Sequence, residues 1–162
     1  MKVALLQTDI RWKDPAANRR RAEELIGIAP QADLIVLPEM FTTGFCTDPA
    51  GAAEPADSET LAWMRSVASA RDAAVAGSVA TEQDGRYYNR FYFVKPDGSY
   101  TVYNKRHLFS FAGEDLRYTA GQERVVVEHA GFRILLQVCY DLRFPVFSRN
   151  RGDYDMILYV AN

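Results

Sequence analysis

Short apolar runs, separated by helical patterns and tight turns, constrain the fold of this chain more than any other feature. Residues 3–6, 34–37 and 134–138 are apolar runs of strand length. Helical signals follow the first two runs, and turn signals separate the strands that lie between the second run and the third. This order predicts an α/β fold in which helices cover mixed sheets.

Two helices are predicted next to the early strands. Asp14 is a good N-cap and is followed by proline at the first helical position, which predicts a helix over residues 15–28. A second helix is predicted over residues 59–71, with Asp57 or Ser58 as its N-cap. Its predicted buried face consists of Leu61, Met64, Val67 and Ala68.

Turn signals place the remaining strands. Asp84-Gly85 and Asp97-Gly98 are typical of turns between strands. Strands are therefore expected over residues 74–81, 87–94, 100–103, 124–128, 132–138 and 156–160. Residues 42–57 and 104–123 are expected to be irregular, and a loop as long as the second usually carries function in a compact domain.

The composition narrows the functional classes. The chain has 162 residues, 48% hydrophobic and 25% charged, with a net charge of −2, which is typical of one soluble globular domain. This charge favours neither a nucleic-acid partner nor an anionic membrane surface. No apolar run approaches transmembrane length, and no signal-peptide pattern opens the chain. The arginines at 19–21 are interpreted as a solvated helix face.

The cysteine and histidine content predicts neither a disulfide scaffold nor a metal site. Cys46 and Cys139 are the two cysteines, and a chain with so few is assigned to the reducing cytoplasm by default. His107 and His129 have no paired Cys or His spacing, so a structural zinc site is not expected.

Cys139 occupies a position that favours chemistry. It follows the apolar run 134–138 and precedes a segment in which Pro145 is able to open a helix. At such a junction, backbone N–H groups and the helix dipole favour a thiolate and can stabilise an oxyanion. Because free cysteine is also a common buried apolar residue, this pattern alone leaves both interpretations open.

Two other reactive side chains also follow predicted strands. Glu39 comes after the run 34–37 and Pro38, and Lys105 comes directly after the strand that ends near Tyr103. Chemistry in open α/β sheets usually occurs beyond the strand ends, so an acid, an amine and a thiol are expected to meet there. The alternative for Glu39 and Lys105 is an ordinary salt bridge.

The three segments resemble the motifs of the nitrilase (carbon–nitrogen hydrolase) superfamily. Leu-Pro-Glu-Met-Phe at 37–41 resembles its Glu motif, and Tyr-Asn-Lys-Arg-His-Leu-Phe at 103–109 resembles its Lys motif. Val-Cys-Tyr-Asp-Leu-Arg-Phe-Pro at 138–145 resembles its Cys motif. The three motifs occur in the family's order, and the resemblance covers the whole chain.

The resemblance implies a catalytic triad of Glu39, Lys105 and Cys139. In this reading Glu39 is the base, Cys139 is the nucleophile, and Lys105 stabilises the oxyanion together with the backbone N–H of Tyr140. The family mechanism requires neither a metal nor an organic cofactor.

A second acid is also implied. Glu114 lies seven residues before Gly121 and matches a supporting Glu of the family that would orient the lysine or the substrate amide. The adjacent Asp115 is the competing candidate.

Substrate-binding residues are less strongly indicated. Phe41, Phe45 and Tyr118 are able to line a small pocket, although core or loop packing is the favoured interpretation of each. Arg143 is a candidate for binding a substrate carboxylate, with a structural ion pair as the alternative.

Within the superfamily, the Cys motif resembles that of bacterial ω-amidases, which hydrolyse the terminal amide of 2-oxo acid amides such as 2-oxoglutaramate. Val146 stands where many relatives have Glu, and this departure is interpreted as a branch marker. The alternatives are N-carbamoyl amide hydrolysis or acyl transfer on the same triad, and an inactive truncated domain that acts only through self-association or partner binding.

The resemblance also implies a four-layer α-β-β-α sandwich, and a homodimer is expected. Relatives are considerably longer than this chain, so residues 1–162 are interpreted as a single incomplete domain that lacks the last strands and the C-terminal tail.

Overall fold

The computed structural model describes residues 1–162 and contains nine strands and three α-helices. The strands are β1 (Val3–Leu5), β2 (Leu34–Val36), β3 (Glu54–Pro55), β4 (Ala74–Gln83), β5 (Arg86–Val94), β6 (Tyr100–Asn104), β7 (Val126–His129), β8 (Phe132–Val138) and β9 (Met156–Val160). The helices are α1 (Pro15–Ile28), α2 (Glu59–Arg71) and the single turn α3 (Pro145–Ser148). No helix combines the length and apolarity needed to cross a membrane.

Two mixed sheets form the core of the structure. The larger sheet has six strands in the order β1-β2-β4-β5-β6, with β3 paired to the end of β4. In it, β1, β2 and β4 are parallel, and β5 and β6 continue as antiparallel neighbours. The smaller sheet has the order β7-β8-β9, with β8 and β9 parallel.

The two sheets pack face to face. Leu34, Phe91 and Phe93 of the larger sheet belong to one buried cluster with Ile134 and Leu158 of the smaller sheet. This cluster accounts for the apolar character of β2 and β8, because both strands are buried between layers. The arrangement confirms the predicted α/β sandwich class.

The helices α1 and α2 cover the outer face of the larger sheet. Ile26 of α1 and Met64 of α2 pack with Val75 of β4 in a second buried cluster. Both helices begin where the sequence predicts, because the side chains of Asp14 and Ser58 accept hydrogen bonds from the first helical turn. Helix, sheet and sheet supply three of the four predicted layers.

Two local predictions need correction. The segment 42–57, expected to be irregular, contains β3, which pairs in parallel with Thr81 and Glu82 of β4. Cys139 does not lie at a helix start, because a 3-10 turn over Cys139–Arg143 separates it from α3. Pro145 opens α3 as the sequence indicates, since proline suits the first helical position.

Candidate active site

Glu39 lies beyond the end of β2, on a loop that packs against β4. Gly77 of β4 permits this approach, because a Cβ atom there would lie 2.9 Å from the Leu37 Cβ atom. Met40 adopts a left-handed backbone with φ 45°, and its N–H donates a 2.9 Å hydrogen bond to Ser78 Oγ. These contacts hold the Glu39 carboxylate, which is 1% exposed, inside the protein.

Lys105 follows β6 directly, and its ammonium binds two carboxylates. The Nζ atom donates hydrogen bonds of 2.8 Å to Glu39 Oε1 and 3.0 Å to Glu114 Oε2. Gly121 packs against the end of β6, where a Cβ atom would lie 2.1 Å from the Asn104 carbonyl oxygen. Its N–H also donates to the Lys105 carbonyl, so the backbone that carries the ammonium is held in place.

Glu114, and not Asp115, is the acid that contacts Lys105. Glu114 is fully buried, and its Oε2 also accepts a 2.7 Å hydrogen bond from the Phe109 N–H. Asp115 is exposed to solvent. The sequence left open whether Glu114 or Asp115 is the supporting acid. The structure selects Glu114, because its side of the short turn faces the protein interior.

Asn89 of β5 connects the two carboxylates. Its Nδ2 atom donates hydrogen bonds of 2.8 Å to Glu39 Oε1 and 3.0 Å to Glu114 Oε1. Its Oδ1 atom accepts a 2.8 Å hydrogen bond from the Ser78 hydroxyl. Buried carboxylates and a buried ammonium thus form one closed hydrogen-bonded cluster.

Cys139 opens the 3-10 turn after β8 and has a left-handed backbone with φ 41°. This conformation is unfavourable for a residue with a Cβ atom, so neighbouring contacts must maintain it. One such contact is the 2.9 Å hydrogen bond that the Val138 N–H donates to Asp141 Oδ2. The chain turns sharply as a result, and the thiol is left half-buried.

The Asp141 carboxylate joins this turn to the loop after β6. It is fully buried and accepts hydrogen bonds of 2.7–2.9 Å from the Val138 N–H, the Tyr103 hydroxyl, and the backbone N–H and Nδ1 of His107. The His107 ring stacks on Phe144 at a centroid distance of 3.9 Å. The loops that carry the thiol and the ammonium are thereby fixed relative to each other.

We expect Asp141→Asn to lower the free energy of unfolding by roughly 2–4 kcal/mol. An amide keeps one acceptor oxygen and turns its NH₂ group toward hydrogen-bond donors, so buried donors lose their partner. Urea unfolding measures the loss, and alkylation of Cys139 should slow in the same variant. The control is Asp115→Asn on an exposed neighbouring turn, which should change neither quantity. An Asp141 variant as stable as the wild type would contradict this role.

One pocket brings the predicted triad together. Its volume is about 330 Å³, which suits a small organic molecule. The Asn162 N–H donates a 3.2 Å hydrogen bond to Glu39 Oε2 at this pocket. The lining residues are Glu39, Phe45, Lys105, Phe109, Cys139, Tyr140 and Asn162.

The charges around the pocket keep Lys105 protonated and Cys139 neutral at rest. Burial disfavours the ammonium, but the carboxylates of Glu39 and Glu114 outweigh burial and raise the pKa of Lys105 above its ordinary value. Burial and the Glu39 carboxylate raise the pKa of Cys139 to about 11, against the opposing effect of Lys105. The expectation that this junction favours a thiolate is therefore wrong for the resting site, because burial of the thiol and the Glu39 carboxylate beside it both disfavour ionisation.

Of the candidate pocket residues, the structure brings Phe45 to this pocket and leaves Phe41, Tyr118 and Arg143 outside it. Phe41 is 2% exposed and packs against Trp63, with ring centroids 6.0 Å apart, in the core under the helices. Tyr118 is buried, and its hydroxyl donates a 2.6 Å hydrogen bond to the Cys46 carbonyl. Arg143 lines a separate surface groove with other arginines. Phe109 and Tyr140 supply the other aromatic walls of the pocket.

Asn89, Ser78 and Asp141 help to hold the site in place and had no role assigned from the sequence. Asn89 and Ser78 are buried polar residues, and each interrupts a strand that is otherwise largely apolar or aromatic. That interruption is the signal that could have found them, since a buried polar group requires a partner. Asp141 lies inside the Cys motif, where its buried carboxylate gave no separate signal.

The chain is similar to known proteins over its whole length. The model of the family described as carbon-nitrogen hydrolase matches residues 2–162. An ω-amidase YafV from Yersinia enterocolitica is 52% identical over the whole chain, and the chain spans 63% of that relative's length. A 2-oxoglutaramate amidase from Bacillus subtilis is 35% identical over 91% of the chain and 58% of its own length.

A solved structure shares the same architecture. XC1258 from Xanthomonas campestris, described as a CN-hydrolase superfamily protein with an arsenic adduct in its active site, superimposes with a TM-score of 0.96 at 47% identity. The match covers 100% of this chain and 64% of that one. The chain thus spans less than two thirds of these relatives.

Proposed function

Because the chain belongs to the carbon–nitrogen hydrolase family, we propose that its pocket hydrolyses a small linear amide to an acid and ammonia. One observation carries this proposal. The half-buried thiol of Cys139 shares a small pocket with the Glu39 carboxylate and the Lys105 ammonium. A nucleophile, a base and a cation within one pocket are the groups that acyl transfer from an amide requires.

The first half of the proposed reaction breaks the C–N bond. Glu39 takes the proton from Cys139 Sγ as the sulfur attacks the amide carbon, since few thiols with a pKa of about 11 are ionised at neutral pH. The oxyanion of the tetrahedral intermediate is stabilised by the Lys105 ammonium and the Tyr140 N–H, each such donor contributing roughly 3–4 kcal/mol. Glu39 then gives its proton to the nitrogen, and ammonia leaves a thioester on Cys139.

The second half releases the acid. Glu39 takes a proton from a water molecule, and the resulting hydroxide attacks the thioester carbon. The C–S bond breaks, the sulfur leaves as thiolate, and the proton on Glu39 returns to Cys139. Glu114 supports both halves, because its hydrogen bond to Lys105 holds the ammonium in position.

The proposed substrate class is the ω-amide of a 2-oxo acid, such as 2-oxoglutaramate. The names of the ω-amidase and 2-oxoglutaramate amidase relatives support this choice. The pocket supports it in size, because about 330 Å³ admits a short, unbranched amide. The homodimer, the cytoplasmic location and the lack of nucleic-acid or membrane partners stay predictions.

Ammonia release from 2-oxoglutaramate tests the proposal, with hydroxylamine added in a parallel reaction. We expect ammonia in both reactions and a hydroxamate in the second, because an amine intercepts a thioester. An N-carbamoyl amide serves as the comparison substrate and should release less ammonia. If no ammonia appears and no acyl group is found on the Cys139 peptide by mass, the alternative of an inactive association domain is favoured.

A further inference from the structure

We propose that Asn89 is a positioning residue that reserves Glu39 Oε2 for the thiol proton. This inference rests on the proposed function, because it assigns one oxygen of the base. Glu39 Oε1 accepts hydrogen bonds of 2.8 Å from both Asn89 Nδ2 and Lys105 Nζ. Glu39 Oε2 accepts one hydrogen bond of 3.2 Å, from the Asn162 N–H. Since a carboxylate oxygen has two lone-pair sites, Oε1 is filled and Oε2 keeps a free site.

Ser78 determines which way the Asn89 amide faces. The Ser78 Oγ atom accepts a 2.9 Å hydrogen bond from the Met40 N–H, so its own hydrogen is free to donate to Asn89 Oδ1 at 2.8 Å. A flipped amide would turn its oxygen toward two carboxylates, which is electrostatically unfavourable. The hydrogen bonds therefore run in one direction, from Met40 through Ser78 and Asn89 to the two acids.

Burial makes this amide difficult to replace. Asn89 and Ser78 have no exposed surface, and the side chains of Lys105 and Glu114 are fully buried as well. A donor lost from such a cluster leaves a charged oxygen without a partner, because water has no access. The amide is also neutral, so it donates hydrogen bonds to two carboxylates without neutralising their negative charge.

The neighbours of Glu39 define how the site should respond to pH. Lys105 and Cys139 face it in the pocket, and Glu114 lies beyond the Asn89 amide. Tyr118 also lies near, but burial raises the pKa of its hydroxyl and keeps it neutral. One ammonium thus serves two carboxylates. Without the hydrogen bond from Asn89, the ionised carboxylate of Glu39 is less stabilised. The coupled Glu39–Cys139 pair should therefore lose its proton only at a higher pH.

The test is the pH dependence of Cys139 alkylation by iodoacetamide in two Asn89 variants. Asn89→Asp keeps the shape and adds a negative charge, whereas Asn89→Leu keeps the approximate volume and removes the donor. The acid limb of the alkylation profile is the low-pH range in which the rate rises with pH. We expect this limb to move to higher pH by about one unit, which lowers the rate about tenfold at a fixed pH on the limb. Ser78→Ala should move the limb in the same direction by less.

The control is Thr81→Ala on the same strand as Ser78. Its buried hydroxyl contacts Tyr92 and not the acids, so its loss should leave the limb in place. Thermal unfolding of each variant separates a lost fold from a shifted limb. If both Asn89 variants fail to fold, the Ser78→Ala variant is the test: a limb moved to higher pH supports the inference, and an unmoved limb contradicts it.

Two results would overturn this inference, and they are distinguishable. An unmoved limb in folded variants would remove the role of Asn89 and leave the proposed function standing. A wild-type Cys139 that reacts with the profile of an ordinary peptide thiol, near pKa 8.5, would remove the proposed function and this inference with it.

Discussion

Cys139→Ala is expected to lose amide turnover by about 10⁴- to 10⁶-fold, as when a covalent nucleophile is removed from other acyl-transfer enzymes. Alanine has no atom that can attack the amide carbon, so no thioester forms. The fold should persist, because the thiol is half-buried and alanine keeps the Cβ atom that the left-handed backbone already accommodates. Ammonia release measures the turnover, and thermal unfolding verifies the fold.

Cys46→Ala is the matched control for this substitution. Cys46 is fully buried and its thiol donates a 2.8 Å hydrogen bond to the Asp48 carbonyl. Its loss should reduce stability modestly and leave turnover within a small factor of the wild type. Ammonia release at the wild-type rate by folded Cys139→Ala protein would contradict the covalent mechanism.

Lys105→Met is expected to damage both stability and activity. Removing the ammonium leaves the buried carboxylates of Glu39 and Glu114 without a cation, which should lower the free energy of unfolding by about 3–5 kcal/mol at neutral pH. The lost oxyanion donor should lower turnover by a further 10²- to 10³-fold, roughly, in protein that remains folded. Urea unfolding and ammonia release measure the two effects.

The pH dependence of this variant has a definite sign. The pKa of Lys105 is raised in the folded protein, so its stabilising effect is fully present below the ordinary lysine value of about 10.4 and is lost as the pH rises through the raised value. The stability difference between wild type and variant should therefore be constant at neutral pH and shrink in alkali. Lys2→Met, at an exposed position, should show no difference at any pH. A constant difference up to strong alkali would contradict the ion cluster.

Local patterns account for most of the secondary structure. The bounds of α1 and α2 follow from Asp14, Pro15 and Ser58, because capping is a local interaction between neighbours in the chain. The strand β3 was not predicted, because it is only two residues long and pairs with residues distant in sequence. So short a segment shows no hydrophobic periodicity. Likewise, the sequence does not show why β5 contains the polar Asn89. The structure shows that its side chain donates hydrogen bonds to Glu39 and Glu114.

The sequence by itself determined the α/β class, the helix bounds and, through three motifs, the three residues that the structure brings into one pocket. These depend on local spacing and on resemblance, and both can be read along one chain. The tertiary structure alone decided that Glu114 and not Asp115 binds Lys105, that Phe41, Tyr118 and Arg143 lie outside the pocket, and that Cys139 rests as a thiol. Each of these depends on burial and on charges brought together from distant parts of the chain, and no local pattern records them.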